Sequence, residues 1–238
     1  MSPKPRSFDV HRLFFSLANA TRVALFDFAA APTLADAVST HLTERERLRL
    51  EGLGSGRRGR EWLAARICLK ESLVRSGVIA SPRDCEVGQD ERGRPRLSLG
   101  PEALGAPPPD CALSHGGRWA VSAWTDLPGV KVGVDIEPRS ARWAERRRSA
   151  VGADDDAAPD LAPSDRAAVL WTLKEAAAKA LGTGLAGALD SAVREERGTL
   201  CRIEAADGRR SFGRSLIGPG WVLAVAWWNE RSSSCRAH

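Results

Sequence analysis

Two acidic residues interrupt an apolar run in the segment VKVGVDIEP, residues 130–138. Successive strand residues point to opposite faces, so the run predicts a strand with Asp135 and Glu137 together on one face. Residues two apart on a strand lie roughly 6.5–7 Å apart at Cα, which allows both carboxylates to reach one cation. A strand with one solvated face is the alternative interpretation of the same pattern.

A second charged set occurs in the segment WTLKEAAAKALG, residues 171–182. Glu175 and Lys179 are spaced i, i+4 on a helix, on a line separate from its apolar stripe. An exposed ion pair is the alternative interpretation. Only five of the 35 basic residues are lysines, yet Lys174 and Lys179 fall within this one segment. The choice of lysine favours a need for a compact point charge.

The carboxylates of Asp135, Glu137 and Glu175 form a set suited to Mg²⁺, which prefers oxygen ligands and shares its coordination with water and substrate phosphate. Nearby lysines would add to the neutralisation of phosphate charge as the bond to a leaving group breaks. The residue types therefore predict phosphoryl-type chemistry if the strand and the helix meet.

The elements that must position these residues form an α+β pattern that occurs twice along the chain. Predicted strands are TRVALFDFAA, the hairpin CALSHGGRWAVSAW, the acidic strand above and GWVLAVAWW. Predicted helices are LTERERLRLEGL, capped by Thr43 with Glu46 three residues later, and REWLAARICLKESLVR, which follows the break GSGRRG and ends at Gly77. The last helix is predicted from a Ser164 cap to Gly182, after a loop over residues 152–163.

Composition is typical of a folded domain, with 43% hydrophobic and 27% charged residues in 238. The sequence has no signal-peptide pattern and no apolar run near the roughly 20 residues needed for a membrane span, so we expect a cytoplasmic protein with no membrane association. The net charge of +5 indicates an anionic partner. Nucleic acid is the second hypothesis; the absence of a concentrated basic segment or motif disfavours it.

The block VGVDIE followed by WTLKEAAAKALGTGL closely resembles the paired signature of Sfp-type 4′-phosphopantetheinyl transferases. The segments LTERERLRL, RRGREWLAARICLKESL, GRPRL and LSHGGRWAVSAW resemble that family's earlier elements in the same order, so the resemblance covers residues 22–228. It implies two similar pseudo-twofold-related halves, 1–126 with coenzyme A-binding residues and 127–238 with magnesium-binding and catalytic residues. Coenzyme A would lie in the cleft between them, and a monomer suffices to form it.

The resemblance implies transfer of the 4′-phosphopantetheine arm of coenzyme A to a serine of an apo acyl or peptidyl carrier protein, with release of 3′,5′-ADP. Asp135, Glu137 and Glu175 would be the magnesium ligands. Lys179, with Lys174, would contact the phosphates and stabilise the leaving group. Glu175, directly or through a metal-bound water, would take the proton of the attacking serine. A family member that binds coenzyme A without transferring it, and acts as a partner or regulator, is the alternative.

Further coenzyme A contacts are implied in the first half of the chain. Ser114 and His115 match a phosphate-contacting Ser-His pair, although a local turn feature is the alternative interpretation. Arg57 falls at the spacing of an arginine on the 3′-phosphate, with Arg58 and Arg60 as neighbouring candidates for the same role; a solvated cluster of these three arginines is the alternative. Arg94, in the element GRP, would lie near the adenosine portion, at a position where the family often has lysine.

The sequence departs from the family pattern between residues 139 and 171, where no phenylalanine precedes the tryptophan block. We expect this segment to affect carrier docking. Its arginines could form a docking patch for an acidic carrier protein, and a solvated helix face is an equal alternative. The proposed patch consists of Arg142, Arg146, Arg147 and Arg148. The sequence does not identify the carrier protein or its pathway.

Overall fold

A computed structural model of the protein describes residues 10–13, 21–30, 34–100, 107–143, 145, 151–197 and 199–230. Three of the four arginines of the predicted docking patch, those at positions 146–148, lie outside the described residues. Among the helices of the described ranges, none is long and apolar enough to cross a membrane.

The first part of the chain forms an antiparallel sheet covered by helices. Its elements are β1 (Val10–Leu13), β2 (Thr21–Asp27), α1 (Ala35–His41), α2 (Glu44–Leu53), α3 (Arg57–Arg75), β3 (Cys85–Gln89), β4 (Pro95–Leu99), β5 (Asp110–Gly116) and β6 (Trp119–Thr125). Four strands pair in the order β1-β2-β6-β5, and β3 and β4 form a separate hairpin.

The second part forms a five-stranded antiparallel sheet with one long helix on it. Its elements are β7 (Val130–Pro138), α4 (Pro163–Leu181), α5 (Gly184–Leu189), β8 (Ala192–Arg197), β9 (Leu200–Glu204), β10 (Arg210–Ile217) and β11 (Trp221–Asn229). The strand order is β7-β11-β10-β9-β8. The predicted α+β class, with a sheet and helices in each part, is confirmed.

The alternation of apolar residues along β2 shows how the layers are arranged. Ala24 and Phe26 pack against α3, whereas Val23 and Leu25 join an apolar cluster that also contains residues of β7 and β11. The two sheets therefore share a core at their junction, while α3 covers the outer face of one and α4 the outer face of the other. Each sheet is thus buried on both faces, by a helix on one side and by the other sheet on the other. The cleft forms where the two sheets meet.

Two predicted helix starts are wrong. α3 begins at Arg57, inside the predicted glycine-arginine break, because Gly56 serves as its N-cap and a Cβ at Gly59 would lie only 2.0 Å from the Gly54 carbonyl oxygen. α4 begins at Pro163 rather than after a Ser164 cap, since the fixed φ of proline suits the first helical position. The capping box of Thr43 on α2 and the left-handed Gly182 that ends α4 are confirmed.

Candidate active site

A cleft of about 780 Å³ lies where the two parts of the fold meet. Its walls are the start of α3, the β3–β4 turn, β5 and the C-terminal half of α4. Eight lysines and arginines line it against three carboxylates, which suits an anionic ligand. Five of the predicted site residues are among the lining side chains: Arg94, Ser114, His115, Glu175 and Lys179.

The strand β7 lies directly beneath α4, and the two faces of the strand follow the alternating pattern of its sequence. Val132, Val134 and Ile136 are buried in the core between the sheets. The opposite face approaches the helix so closely that a Cβ at Gly133 would lie 1.9 Å from the Ala176 carbonyl oxygen. Glycine at this position lets the helix backbone contact the strand, and the next residue on the same face is Asp135.

Asp135 is the centre of a buried polar cluster formed by β5, β7 and α4. Its Oδ1 accepts hydrogen bonds from Ser114 Oγ at 2.7 Å and from Lys179 Nζ at 2.7 Å. Lys179 Nζ also donates to Ser114 Oγ and to the Val134 carbonyl oxygen, both at 3.1 Å. The sequence-predicted strand and helix therefore meet, and they bring three predicted site residues within hydrogen-bonding distance of one another.

The second oxygen of Asp135, Oδ2, is buried without a hydrogen-bond partner in the described part of the chain. A buried carboxylate oxygen that lacks a partner costs on the order of 1–3 kcal/mol, or more for a charged group. Such an atom would be satisfied by a cation that entered from the cleft, which is a property expected of a metal ligand.

Glu175 lies one helical turn before Lys179 and is half-buried at the cleft. Burial raises the pKa of its carboxyl group above the usual value, and the negative charge of Asp135 raises it further, while Lys179 opposes the shift. Two carboxylates that repel each other in a partly buried site favour the uptake of a proton or a metal cation. Glu137 is half-buried and is on the same face of β7 as Asp135 by strand alternation.

The donor chemistry fits Mg²⁺, because the three acidic side chains offer hard oxygen atoms and Asp135 Oδ2 has no hydrogen-bond partner within the described ranges. The described residues nevertheless contain no group of three or more His, Cys, Asp or Glu side chains gathered closely enough to hold a metal ion. Lys179 contacts the Asp135 carboxylate instead. The predicted ligand set is thus only partly assembled by the fold.

His115 and the start of α3 form one side wall of the cleft. His115 Nδ1 lies 3.6 Å from Glu61 Oε2, and Glu61 Oε1 accepts a hydrogen bond from Arg57 Nε at 2.7 Å. Burial lowers the pKa of His115, and Lys179 lowers it further, whereas Glu61 opposes the shift. Arg57 is held against Glu61 and does not line the cleft, but its neighbour Arg58 does.

Arg94 and Lys174 are both engaged by protein groups. Arg94 lines the cleft, yet its guanidinium donates to Asp110 Oδ2 and to backbone carbonyl oxygens of β7 and α4. Lys174 points away from the cleft: its side chain is 2% exposed, and Nζ lies 2.7 Å from Asp155 Oδ2. The fold therefore does not bring Lys174 to the position that the resemblance implied for it.

Sequence reasoning assigned no role to Trp62 and Arg66, which also line the cleft. The Arg66 guanidinium lies 3.4 Å from the centre of the Trp62 ring, and burial lowers its pKa to about 10. Arg58, Trp62 and Arg66 are spaced i, i+4 along α3, so this side-by-side arrangement could have been found from helical periodicity. The predicted helix contained Trp62 and Arg66 but began after Arg58, so the full row of three was not visible.

Comparison with known proteins agrees with the geometry of the second part of the chain. Residues 131–225 match the family model ACPS, described as the 4′-phosphopantetheinyl transferase superfamily. The matched stretch contains β7 and α4, hence Asp135, Glu175 and Lys179. No curated protein gives a significant match to the chain. The predicted resemblance to phosphopantetheinyl transferases is confirmed at the level of the superfamily over these residues, which supports phosphopantetheine transfer in general.

Proposed function

We propose that the cleft transfers the 4′-phosphopantetheine arm of coenzyme A to a serine hydroxyl of an apo acyl or peptidyl carrier protein, in a Mg²⁺-dependent reaction of the Sfp type. The observation that carries the proposal is the contact of Asp135 with Ser114 and Lys179 at 2.7 Å, beside Glu175, in a cationic cleft. The superfamily match over residues 131–225 supports the same chemistry.

The reaction breaks one bond of the coenzyme A diphosphate and forms one new phosphoester bond. The serine oxygen of the carrier attacks the phosphorus that bears the pantetheine arm, and the bond from that phosphorus to the bridging oxygen breaks. That oxygen leaves as part of 3′,5′-ADP, while the serine proton goes to a base. Glu175 suits the role of base because its carboxyl group lines the cleft.

Asp135, Glu137 and Glu175 would hold Mg²⁺, which when bound would neutralise charge on the diphosphate. Lys179 is suited to donate to a phosphate oxygen, since its three N–H groups can leave the protein acceptors that they contact now. Ser114 and His115 of β5 both line the cleft, which supports them as phosphate contacts. Arg58 is a better candidate for the 3′-phosphate than Arg57, because Arg58 lines the cleft.

The proposal is tested by incubating the protein with coenzyme A, Mg²⁺ and an apo carrier protein, and measuring the intact mass of the carrier. We expect the carrier to gain the mass of one phosphopantetheine arm. Asp135→Ala should abolish the gain, whereas Glu51→Ala, which removes an exposed acid on α2, should leave it unchanged. Wild-type protein that binds coenzyme A but adds no mass to any carrier would favour the alternative of a family member without transfer activity.

A further inference from the structure

Arg94 is presented to the cleft by a tight turn that fixes its backbone. Asp90 Oδ1 accepts hydrogen bonds from the backbone N–H groups of Arg92 at 3.0 Å and Arg94 at 2.9 Å. Gly93 takes a φ of +80°, a conformation that glycine adopts at low cost. This turn closes the β3–β4 hairpin, and within it the backbone N–H of Asp90 also donates a hydrogen bond to the carbonyl oxygen of Arg94. The direction of the Arg94 side chain is therefore set locally.

The Arg94 guanidinium joins elements from both parts of the fold. Nη1 donates to the carbonyl oxygens of Lys179 and Ala180, the latter at 3.1 Å, where α4 ends. Nη2 donates to Asp110 Oδ2 on β5 at 2.5 Å and to the Val132 carbonyl oxygen on β7 at 3.0 Å. One side chain thus ties the β3–β4 turn to β5, β7 and α4.

Asp110 extends this junction on its other side. Its Oδ2 also accepts the backbone N–H of Val132 at 2.8 Å, and Oδ1 lies 3.7 Å from Lys131 Nζ. The Arg94 and Asp110 side chains are only 12% and 11% exposed, so their ion pair is shielded from solvent. A shielded pair of this kind loses several kcal/mol when one partner is removed, because the other is left buried and unpaired.

The partners explain why arginine rather than lysine occupies this position. The last carbonyl oxygens of a helix lack partners within the helix and carry partial negative charge. A planar guanidinium can reach two such oxygens with one nitrogen and two further acceptors with the other, whereas an ammonium group has three donors around a single atom. Both terminal nitrogens of Arg94 contact protein acceptors, and Nε is buried without a hydrogen-bond partner among the described residues, so binding a phosphate would require the guanidinium to leave the four acceptors that join the two parts of the fold.

We propose that Arg94 is a positioning residue that clamps the two parts of the fold together and sets the location of Lys179 and β7, instead of contacting coenzyme A. The inference rests on the proposed function for its catalytic consequence. Lys179 is held through its own carbonyl oxygen, and Val132 lies three residues before Asp135 on the same strand. Loss of the clamp would shift the lysine and the carboxylate of the site relative to each other, and small displacements of reacting groups lower rates strongly.

The test compares Arg94→Lys, Arg94→Met and Asp110→Asn with wild type and with Arg45→Met, an exposed arginine on α2. We expect the first three variants to lower kcat for carrier modification about tenfold or more while the Kd for coenzyme A changes less than about threefold. Arg94→Lys should therefore not retain the wild-type kcat. The double variant Arg94→Met, Asp110→Asn should lose no more activity than the more impaired of its two single variants, because both substitutions break the same junction. Arg45→Met should behave as wild type.

Amide hydrogen exchange gives a readout that does not depend on transfer activity. Arg94→Lys should speed exchange at the end of α4 and the start of β7 but not in α2, and this holds even if the wild-type protein proves unable to modify a carrier. The Asp110→Asn variant keeps the measurement possible if Arg94→Met fails to fold. The clamp would be overturned if Arg94→Met raised the Kd for coenzyme A more than tenfold while Arg94→Lys and Asp110→Asn left that Kd unchanged. This result would restore the prediction that Arg94 contacts the ligand.

Discussion

The two oxygens of the Asp135 carboxylate have different environments. Oδ1 receives two hydrogen bonds at 2.7 Å, whereas Oδ2 is buried with no partner among the described residues. A hydroxyl and an ammonium group hold one side of the carboxylate in place, so the other side is presented in a fixed orientation. Preorganisation of this kind lowers the reorganisation needed when a cation and a diphosphate bind.

A pH-dependent effect on stability is predicted for Glu175. Its folded-state pKa is raised, so between the ordinary glutamate pKa of about 4.3 and the raised value the folded state binds more protons than the unfolded state. Stability must therefore fall as pH rises through this interval. In the presence of a chelator, Glu175→Gln should be more stable than wild type at neutral pH, and the difference should vanish at pH 3.

Denaturant unfolding at the two pH values measures this effect. Glu44→Gln is a suitable control, because Glu44 is exposed in the first turn of α2. An equal difference between Glu175→Gln and wild type at both pH values would contradict a raised pKa as its cause.

At the level of single residues, the sequence indicated the central cluster around Asp135 but not all of its neighbours. The acids of β7 and the Glu175–Lys179 spacing were sufficient to select Asp135, Glu175 and Lys179 as candidates for one site, but they did not predict the direct contact between Lys179 and Asp135. Arg58 was one of three candidate arginines and was not selected, because a local glycine-rich break concealed the true start of α3. The buried partner of Lys174 was not predictable, since Asp155 is 19 residues away in an acidic run typical of a solvated loop.

The strand β7 and the helix α4 show how strongly periodicity determines the site. Alternation along β7 directed the acids to one face, and the i, i+4 spacing on α4 directed Glu175 and Lys179 to the cleft. β8, β9 and β10 were not predicted, because their charged residues, such as Glu195, Arg202 and Arg210, obscure the apolar alternation. Pairing with neighbouring strands makes these segments extended, a tertiary effect that a local pattern does not reveal.

The loop predicted over residues 152–163 is present over 151–162, because α4 already begins at Pro163, and this loop is anchored. Asp155 Oδ1 accepts the backbone N–H of Val193 at 2.7 Å, and Oδ2 accepts that of Gly152 at 2.7 Å. Ala157 is fully buried in the core beneath α4. The buried Lys174–Asp155 ion pair thus connects the loop to α4, and Asp155 also connects the loop to β8.

Lys174→Met is therefore predicted to act on stability and not on ligand binding. Removal of one partner of a buried ion pair costs on the order of 3–5 kcal/mol of unfolding free energy. Arg139→Met is the matched control, since the Arg139–Asp165 pair is at the surface and is expected to contribute about 0–1 kcal/mol.

Denaturant unfolding and coenzyme A titration measure the two effects separately. Folded Lys174→Met protein should bind coenzyme A with the same Kd as wild type. A stable Lys174→Met variant with weakened coenzyme A binding would instead support the phosphate contact that the resemblance implied.

The whole molecule forms its cleft from two layered parts that share one apolar core. Residues from β2, β5 and β6 pack against β7 and β11 in that core, so the cleft walls are held by burial of apolar surface as well as by the Arg94 junction. The arrangement of the two sheets could be inferred only from the resemblance, because no local pattern specifies which faces of distant strands meet. The family match over residues 131–225 covers the part that carries the acidic cluster.

The account depends most on Asp135, Glu137 and Glu175 acting together on a divalent cation that binds the diphosphate of coenzyme A. Calorimetric titration of coenzyme A into the protein, in Mg²⁺ and in excess chelator, tests this directly. We predict that Mg²⁺ tightens binding at least tenfold for wild type and has no effect on Asp135→Asn. Equal affinity with and without the metal in the wild-type protein, or an undiminished metal effect in Asp135→Asn, would contradict the assignment.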